Sequence, residues 1–262
     1  MAPHQIQRRC GMARLFSPQD LSEEPMKTLL RHWLSGVRRI LYAGVNYECP
    51  VCNSRLERFK PMATRQSARC PVCGSLERHR LVWLYCRAKT DLFDCRQKRL
   101  LHVAPEPCLA EELRHIDALE YVGADLESRH ATVKMDVTAI QFGDASFDVI
   151  LCNHVLEHVA DDRKAMRELL RVLKPGGWAI MQVPIKGETT REDPTVTSAA
   201  ERTRLYGQDD HVRQYGRDYV ERLRTAGFLV EIDPFAVRLT VSERERYRVF
   251  ADEELYCCTR PA

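Results

Sequence analysis

From Arg99 onward, short apolar runs alternate with amphipathic stretches, and this alternation constrains the fold more than any other feature of the chain. The runs are RLLHV (99–103), LEYVGAD (119–125), VKMD (133–136), FDVILCN (147–153) and WAIMQVP (178–184). Strands buried on both faces read as nearly continuous apolar runs. Parallel neighbours need a crossover, usually helical, between them. The pattern predicts a mostly parallel α/β sheet with helices on both faces. DDRKAMRELLRVLKPGG encloses one such helix. Asp161 or Asp162 caps its start, Ala165, Met166, Leu169, Leu170, Val172 and Leu173 form its buried face, and Pro175-Gly176-Gly177 stops it. FLVEIDPF and ELYCCT supply the last two strands. Residues 186–216 form a long polar stretch, which predicts a lid-like insertion.

The N-terminal third reads differently. Residues 1–16 form a loose arm, and SEEPMKTLLRHWLSGVRRILYAG predicts a helix. Ser22 is its N-cap, Gly44 ends it, and Leu29, Leu30, Trp33, Val37, Ile40 and Leu41 make an apolar stripe. CPVC then occurs twice, at 49–52 and 70–73, separated by 17 residues. Cys49, Cys52, Cys70 and Cys73 have the spacing of a closed tetrahedral zinc cage. Such a site is structural, because four protein ligands leave no position open and the metal supplies folding energy that a tiny core cannot. The alternative is a pair of disulfides, which a reducing compartment disfavours. Cys10, Cys86, Cys95, Cys108, Cys152, Cys257 and Cys258 lack ligand spacing and suit small buried apolar positions. Ser75 caps a helix through about Arg87, whose SLERHR start either binds an anion or, the favoured reading, braces the core. The chain thus divides into an arm and helix (1–44), a four-cysteine module with its following helix (45–98) and a sheet domain (99–262).

No apolar run approaches the roughly 18 residues of a membrane span, and the N-terminus lacks an apolar signal core. We therefore expect a cytoplasmic protein without membrane contacts. Residues 1–100 hold 19 Lys+Arg against 8 Asp+Glu, and residues 101–262 hold 21 against 29. A basic third facing an acidic remainder suits phosphate or nucleic acid. Arg outnumbers Lys 32 to 8 over the whole chain, so a generally Arg-rich composition accounts for part of that bias.

LLHVAPEPCL (100–109) raises a difficulty. It stands where a strand turns into a helix, predicted from Leu109 to His115, yet contains no glycine. Close approach of a ligand to such a turn favours glycine. Residues 135–184, MDVTAIQFGDASFDVILCNHVLEHVADDRKAMRELLRVLKPGGWAIMQVP, resemble the central part of class I S-adenosylmethionine-dependent methyltransferases of the type-11 kind. The resemblance covers roughly residues 99–262. It implies a Rossmann-like seven-stranded sheet with its last strand antiparallel, and a cofactor across the carboxyl ends of the first strands. It also implies residue roles. Asp125 takes the ribose hydroxyls, Leu126 packs on the adenine, Asp136 accepts from the adenine amino group, and Val137 offers its amide. Asn153 lies beside the methionine part. His154 and Glu157 follow it and become catalytic if they face the cleft, whereas His158 resembles a structural cap or packing residue. At the first strand, His102 replaces the family's acid, and Ala104, Glu106 and Cys108 replace glycines. We expect Glu106 to take over the acid's role and pair with the cofactor's ammonium. HVAPEP together with CGSLERHR also resembles a bacterial subgroup of these methyltransferases that carries a zinc ribbon.

YGQDDHVRQYG (206–216), inside the lid, brings Asp209, Asp210, His211, Arg213 and Tyr215 together. Titratable groups on a gating loop suit substrate handling, and His211 is its best general base. The leading expectation is methyl transfer to an oxygen or nitrogen of a small molecule. The alternatives are an RNA base, docked by the basic zinc module, and a non-catalytic zinc-ribbon binding protein on a degenerate fold. No aromatic-interleaved basic stretch accompanies the charge, and NHVL stands where a base methylase would carry an NPPY-type tetrapeptide, which disfavours RNA. A nicotinamide enzyme is disfavoured by the lack of any G-x-G-x-x-G.

Overall fold

The computed structural model describes residues 24–128 and 131–262. Helix α1 (Glu24–Leu41) leads into two small antiparallel ribbons, β1 (Ala43–Cys49) with β2 (Ser54–Leu56) and β3 (Lys60–Met62) with β4 (Arg65–Arg69), followed by α2 (Glu77–Lys89). The sheet domain then runs β5 (Lys98–Val103), α3 (Pro107–Leu113), β6 (Leu119–Asp125), β7 (Val133–Lys134), β8 (Phe147–Asn153), α4 (Asp162–Val172) and β9 (Leu173–Gln182). An excursion follows, built from β10 (Arg191–Glu192), α5 (Ala199–Tyr206) and β11 (Arg213–Gln214). The chain ends with α6 (Tyr219–Ala226), β12 (Leu229–Asp233), α7 (Phe235–Arg238), α8 (Val241–Tyr247) and β13 (Leu255–Thr259).

Seven strands form one sheet in the order β12-β13-β9-β8-β5-β6-β7. The pairs β5–β6, β5–β8, β6–β7 and β8–β9 are parallel, and β13 runs antiparallel to both its neighbours. This is the expected Rossmann-like, mostly parallel α/β sheet. Strand order reverses at β5, whose neighbours β6 and β8 lead to opposite edges, and open α/β sheets bind ligands at the carboxyl ends flanking such a point.

The pleat sends alternate residues to opposite faces. Leu101, Ile150, Cys152, Ala179 and Met181 join one core, under α4 and α6. Leu100, Val149, Leu151 and Ile180 join the other, which continues into Leu81, Leu56, Val51 and the cysteine knuckles. The cysteine module therefore shares a core with the sheet.

Three local expectations need correction. The stripe of α1 is not core: Trp33, Ile40 and Leu41 are largely exposed, while Arg39 donates to the Cys52 carbonyl. Leu29 and Leu30 carry no side-chain description, and Ser22 lies outside the described residues. Gly44 is a strand residue beside Glu57, where a Cβ would sit 2.5 Å from backbone, so close pairing and not helix termination explains it. Ser75 does not cap α2. The Leu76 amide donates instead to Nδ1 of His79 (3.2 Å), and the Ser75 hydroxyl faces the thiols. Residues 186–216 carry secondary structure of their own: β10 pairs with β11, and Tyr206, His211, Arg213 and Tyr215 are all buried. Two helix ends also shift. α3 starts at Pro107, whose fixed φ suits a first helical position, and α4 stops at Val172, ahead of Pro175.

Candidate functional site

The turn after β5 solves its lack of glycine with a strained alanine. Ala104 has φ +47°, in the left-handed region, and its amide donates to Ala124. Residue 104 is thus where a glycine would sit without strain. Behind it His102 is fully buried, with Nδ1 3.1 Å from the Tyr121 hydroxyl and Nε2 2.5 Å from Oε2 of Glu106. Oε1 of Glu106 lies 3.9 Å from Nε2 of His79, itself buried. Burial opposes the charge on Glu106, but the hydrogen bond and charge of His102, then His79, hold its pKa down at about 2. Burial pushes His79 down to about 4. Glu106 restores an acid beside the first strand, four residues late, and has histidine partners in the protein.

The remaining cofactor candidates sit at the carboxyl ends of neighbouring strands. Asp125 ends β6, and its Oδ1 accepts the amides of Glu127 and Ser128. Leu126 beside it is half exposed. Asp136, exposed just beyond β7, accepts the amide and hydroxyl of Thr138 through Oδ1, which lowers its pKa. Val137 next to it is buried. Asn153 ends β8 in a buried position, and neither its Oδ1 nor its Nδ2 has a partner. Leaving a buried polar group unpaired costs about 1–3 kcal/mol. An amide that can donate and accept fits an amino-acid moiety bearing an ammonium and a carboxylate.

After Asn153 the backbone turns through His154, whose φ is +55° and whose amide donates to Gln182. His154 Nδ1 lies 3.3 Å from Oε1 of Glu157. Glu157 is buried and its Oε2 has no partner. The excursion folds over this loop: the Val212 amide donates to the Glu157 carbonyl, and Nδ1 of His211 lies 3.1 Å from the Tyr206 carbonyl. The excursion thus places buried His211 against the loop that carries Glu157. Its lock is Arg213, whose guanidinium donates to the carbonyls of Leu156, Val159 and Ala160 and to Glu192. Tyr215 adds a 2.6 Å bond to Asp162. The sequence signalled a dense polar stretch here, but gave no sign of these anchors or of the His158–Asp210 pair, 3.2 Å apart.

Cys49, Cys52, Cys70 and Cys73 converge, their sulfurs all within 4.8 Å of one another. Four thiols around one point, with the Ser75 and Ser54 hydroxyls 3.2 Å from Cys49 and Cys52, are a donor set that fits tetrahedral zinc. Burial raises the Cys49 thiol, yet hydrogen bonds from the other three hold it well below the usual range. Arg80 braces the second knuckle. Its buried guanidinium donates to Ala68, Ser75, Tyr247 and Arg248 and stacks 4.2 Å from the Phe59 ring. With its donors so used, it is a brace and not an anion site. Of the other described cysteines, Cys86, Cys108, Cys152 and Cys258 are buried, Cys257 is half-buried and Cys95 is exposed, while Cys10 lies outside the described residues. Hollows of about 110 and 480 Å³ lie elsewhere, the larger against Trp178 and Leu229. Among the described residues no helix is long and apolar enough to cross a membrane.

Residues 106–181 match the family described as methyltransferase domain. The matched segment is 76 of the chain's 262 residues. An "uncharacterized methyltransferase" of Mycobacterium sp. (strain KMS) is 36% identical over 78 residues, 26% of this chain and 31% of that protein. A demethylmenaquinone methyltransferase of Clavibacter sepedonicus is 45% identical over 55 residues, 21% of this chain and 22% of that protein. The chain thus spans a third or less of the length of these curated relatives. Among solved structures, the YcgJ protein of Bacillus subtilis is 16% identical with a TM-score of 0.46, over 71% of this chain and 99% of that one.

Proposed function

We propose that this chain is an S-adenosylmethionine-dependent methyltransferase acting on an oxygen or nitrogen of a small molecule. The observation that carries the reading is the position of Asp125, Asp136 and unpartnered, buried Asn153 at the carboxyl ends of β6, β7 and β8, on and beside the strands that flank the reversal at β5, within the matched segment 106–181. The bound cofactor would supply an electrophilic methyl group on a sulfonium. Asp125 would hold the ribose hydroxyls, Leu126 would cover the adenine, and Asp136 with the Val137 amide would read its edge. Asn153 would hold the methionine end, and Glu106, near the Ala104 turn, would face its ammonium. In-line displacement depends mostly on positioning, with a base needed only when the nucleophile carries a proton to lose. His154, Glu157 and His211 would be the candidate groups to accept that proton. Zinc in the four-cysteine cage would be structural, holding the module to the sheet's second core.

Part of the basic third's charge is engaged within the protein, while Arg55, Arg58, Lys60, Arg69 and Arg87 stay exposed. Arg80 is buried, Arg65 pairs with Glu77, and Arg99 pairs with Glu120. The excursion over the β8–α4 loop suits closure on a small substrate. The test is transfer of labelled methyl from S-adenosylmethionine into fractionated small molecules and into RNA at two salt concentrations. Label in the small-molecule fraction, insensitive to salt, is expected. Label in RNA that declines steeply with salt would replace this acceptor with nucleic acid.

A further inference from the structure

We propose a second metal site, distinct from the four-cysteine cage, in which Glu157, His158 and His211 bind one divalent transition cation. A ligand atom from each lies within 4.8 Å of the others. Two of the three side chains are buried and hold unpartnered atoms, Oε2 of Glu157 and Nε2 of His211.

The hydrogen bonds around the histidines fix which nitrogen is available. A carbonyl oxygen only accepts, so Nδ1 of His211 donates to Tyr206, and Nε2 keeps its lone pair. Nδ1 of His158 lies 3.2 Å from the Asp210 carboxylate, which favours the proton on that nitrogen and the lone pair on Nε2. Histidines that bind metals characteristically donate their other N–H to a carbonyl or a carboxylate, which orients the ring and raises its basicity. One partner of each kind is present here. The residues come from two segments, the loop after β8 and the end of the excursion, joined by the Val212–Glu157 backbone bond and the Arg213 anchor. Two imidazoles and a carboxylate suit zinc, manganese or iron(II) and leave coordination positions open. His158 is exposed, so those positions open to solvent. The loop begins at Asn153, the residue we assign to the methionine end of the cofactor. On that reading, an oxygen of the acceptor completes the metal's shell, and His154 rather than Glu157 or His211 is left to accept the acceptor's proton.

Manganese(II) is the probe, because thiolate cages select softer metals. The zinc-loaded full-length chain, without S-adenosylmethionine, is titrated with Mn²⁺ and the free ion followed by electron paramagnetic resonance. One Mn²⁺ bound per chain is expected, with loss of that binding in Glu157→Gln and His211→Gln. Asp210→Asn, at an exposed position that leaves the fold intact, is expected to weaken it by about tenfold, the low end for an outer-shell partner. Absence of Mn²⁺ uptake by the wild-type chain, or equal uptake by wild type and all three variants, overturns the proposal. The readout needs neither cofactor nor turnover, so it fails or succeeds independently of the methyltransferase reading.

Discussion

The guanidinium of Arg213 donates to the carbonyl of Leu156 across 2.7 Å, tying the end of the excursion to the residue before Glu157. The same group donates to the Ala160 carbonyl and to Glu192, and Arg213 is buried. Arg213→Met keeps the apolar bulk but leaves these acceptors unpaired, a loss of about 3 kcal/mol. Urea denaturation should show that loss, and limited proteolysis should show residues 186–216 cleaved first. A variant as stable and as resistant as wild type would mean the excursion is held by other contacts.

Acid should expose the histidine pair around Glu106. Unfolded glutamate titrates near 4.3, whereas Glu106 is held at about 2. Its contribution is fully present above the unfolded value and is lost as pH falls through about 2. His79 acts in another window. It stays neutral when folded down to about 4, while the unfolded histidine takes a proton near 6.5, so stability declines between those values and the penalty is constant below them. Each effect is on the order of 3 kcal/mol. Against the wild-type curve of unfolding free energy with pH, His79→Gln should remove the decline between pH 6.5 and 4, and Glu106→Gln should remove the decline below about 4.5. Parallel curves for all three proteins would contradict both assignments.

These two relationships show what the sequence could and could not convey. Strand positions were legible because FDVILCN and LEYVGAD are short runs with an apolar centre, and they recur in the structure as β8 and β6 over the same residues. The cysteine cluster was legible because spacing alone encodes a knuckle. The Glu106–His102 contact was hidden, because its residues carry no periodicity and depend on how β5 enters α3. The Arg213 anchor was hidden because its partners are backbone carbonyls some 50 residues away, which no side-chain pattern marks. The stripe of α1 was legible as a helix and misleading as core, since amphipathicity specifies a face without specifying what covers it.

The cysteine module shares its core with Leu100, Val149 and Leu151 of the sheet. On the proposal that the cage holds zinc, removing the metal should therefore loosen more than the module. Cys70→Ser, or chelation of the wild type, is expected to abolish the metal's folding contribution and lower the melting temperature of the whole chain in a single transition. A sheet domain that melts unchanged after zinc loss would show that the shared core contributes little.

Ala104 occupies a left-handed conformation that costs a non-glycine residue roughly 1 kcal/mol. Ala104→Gly relieves that strain and adds some unfolded-state entropy. The variant should be unchanged in stability or more stable by up to about 1 kcal/mol in urea denaturation. Destabilisation by more than that would mean the methyl group packs where strain alone was inferred.

The central claim is that a turn without glycine still serves a working cofactor site, flanked by Asp125, Asp136 and Asn153. Calorimetric titration of the zinc-loaded protein with S-adenosylmethionine tests it most directly. The account predicts saturable binding at about micromolar affinity, near −8 kcal/mol, weakened at least about tenfold by Asn153→Ala through loss of hydrogen bonds to a charged group. No heat of binding to the wild-type protein would contradict it, leaving the fold as a scaffold for the zinc module.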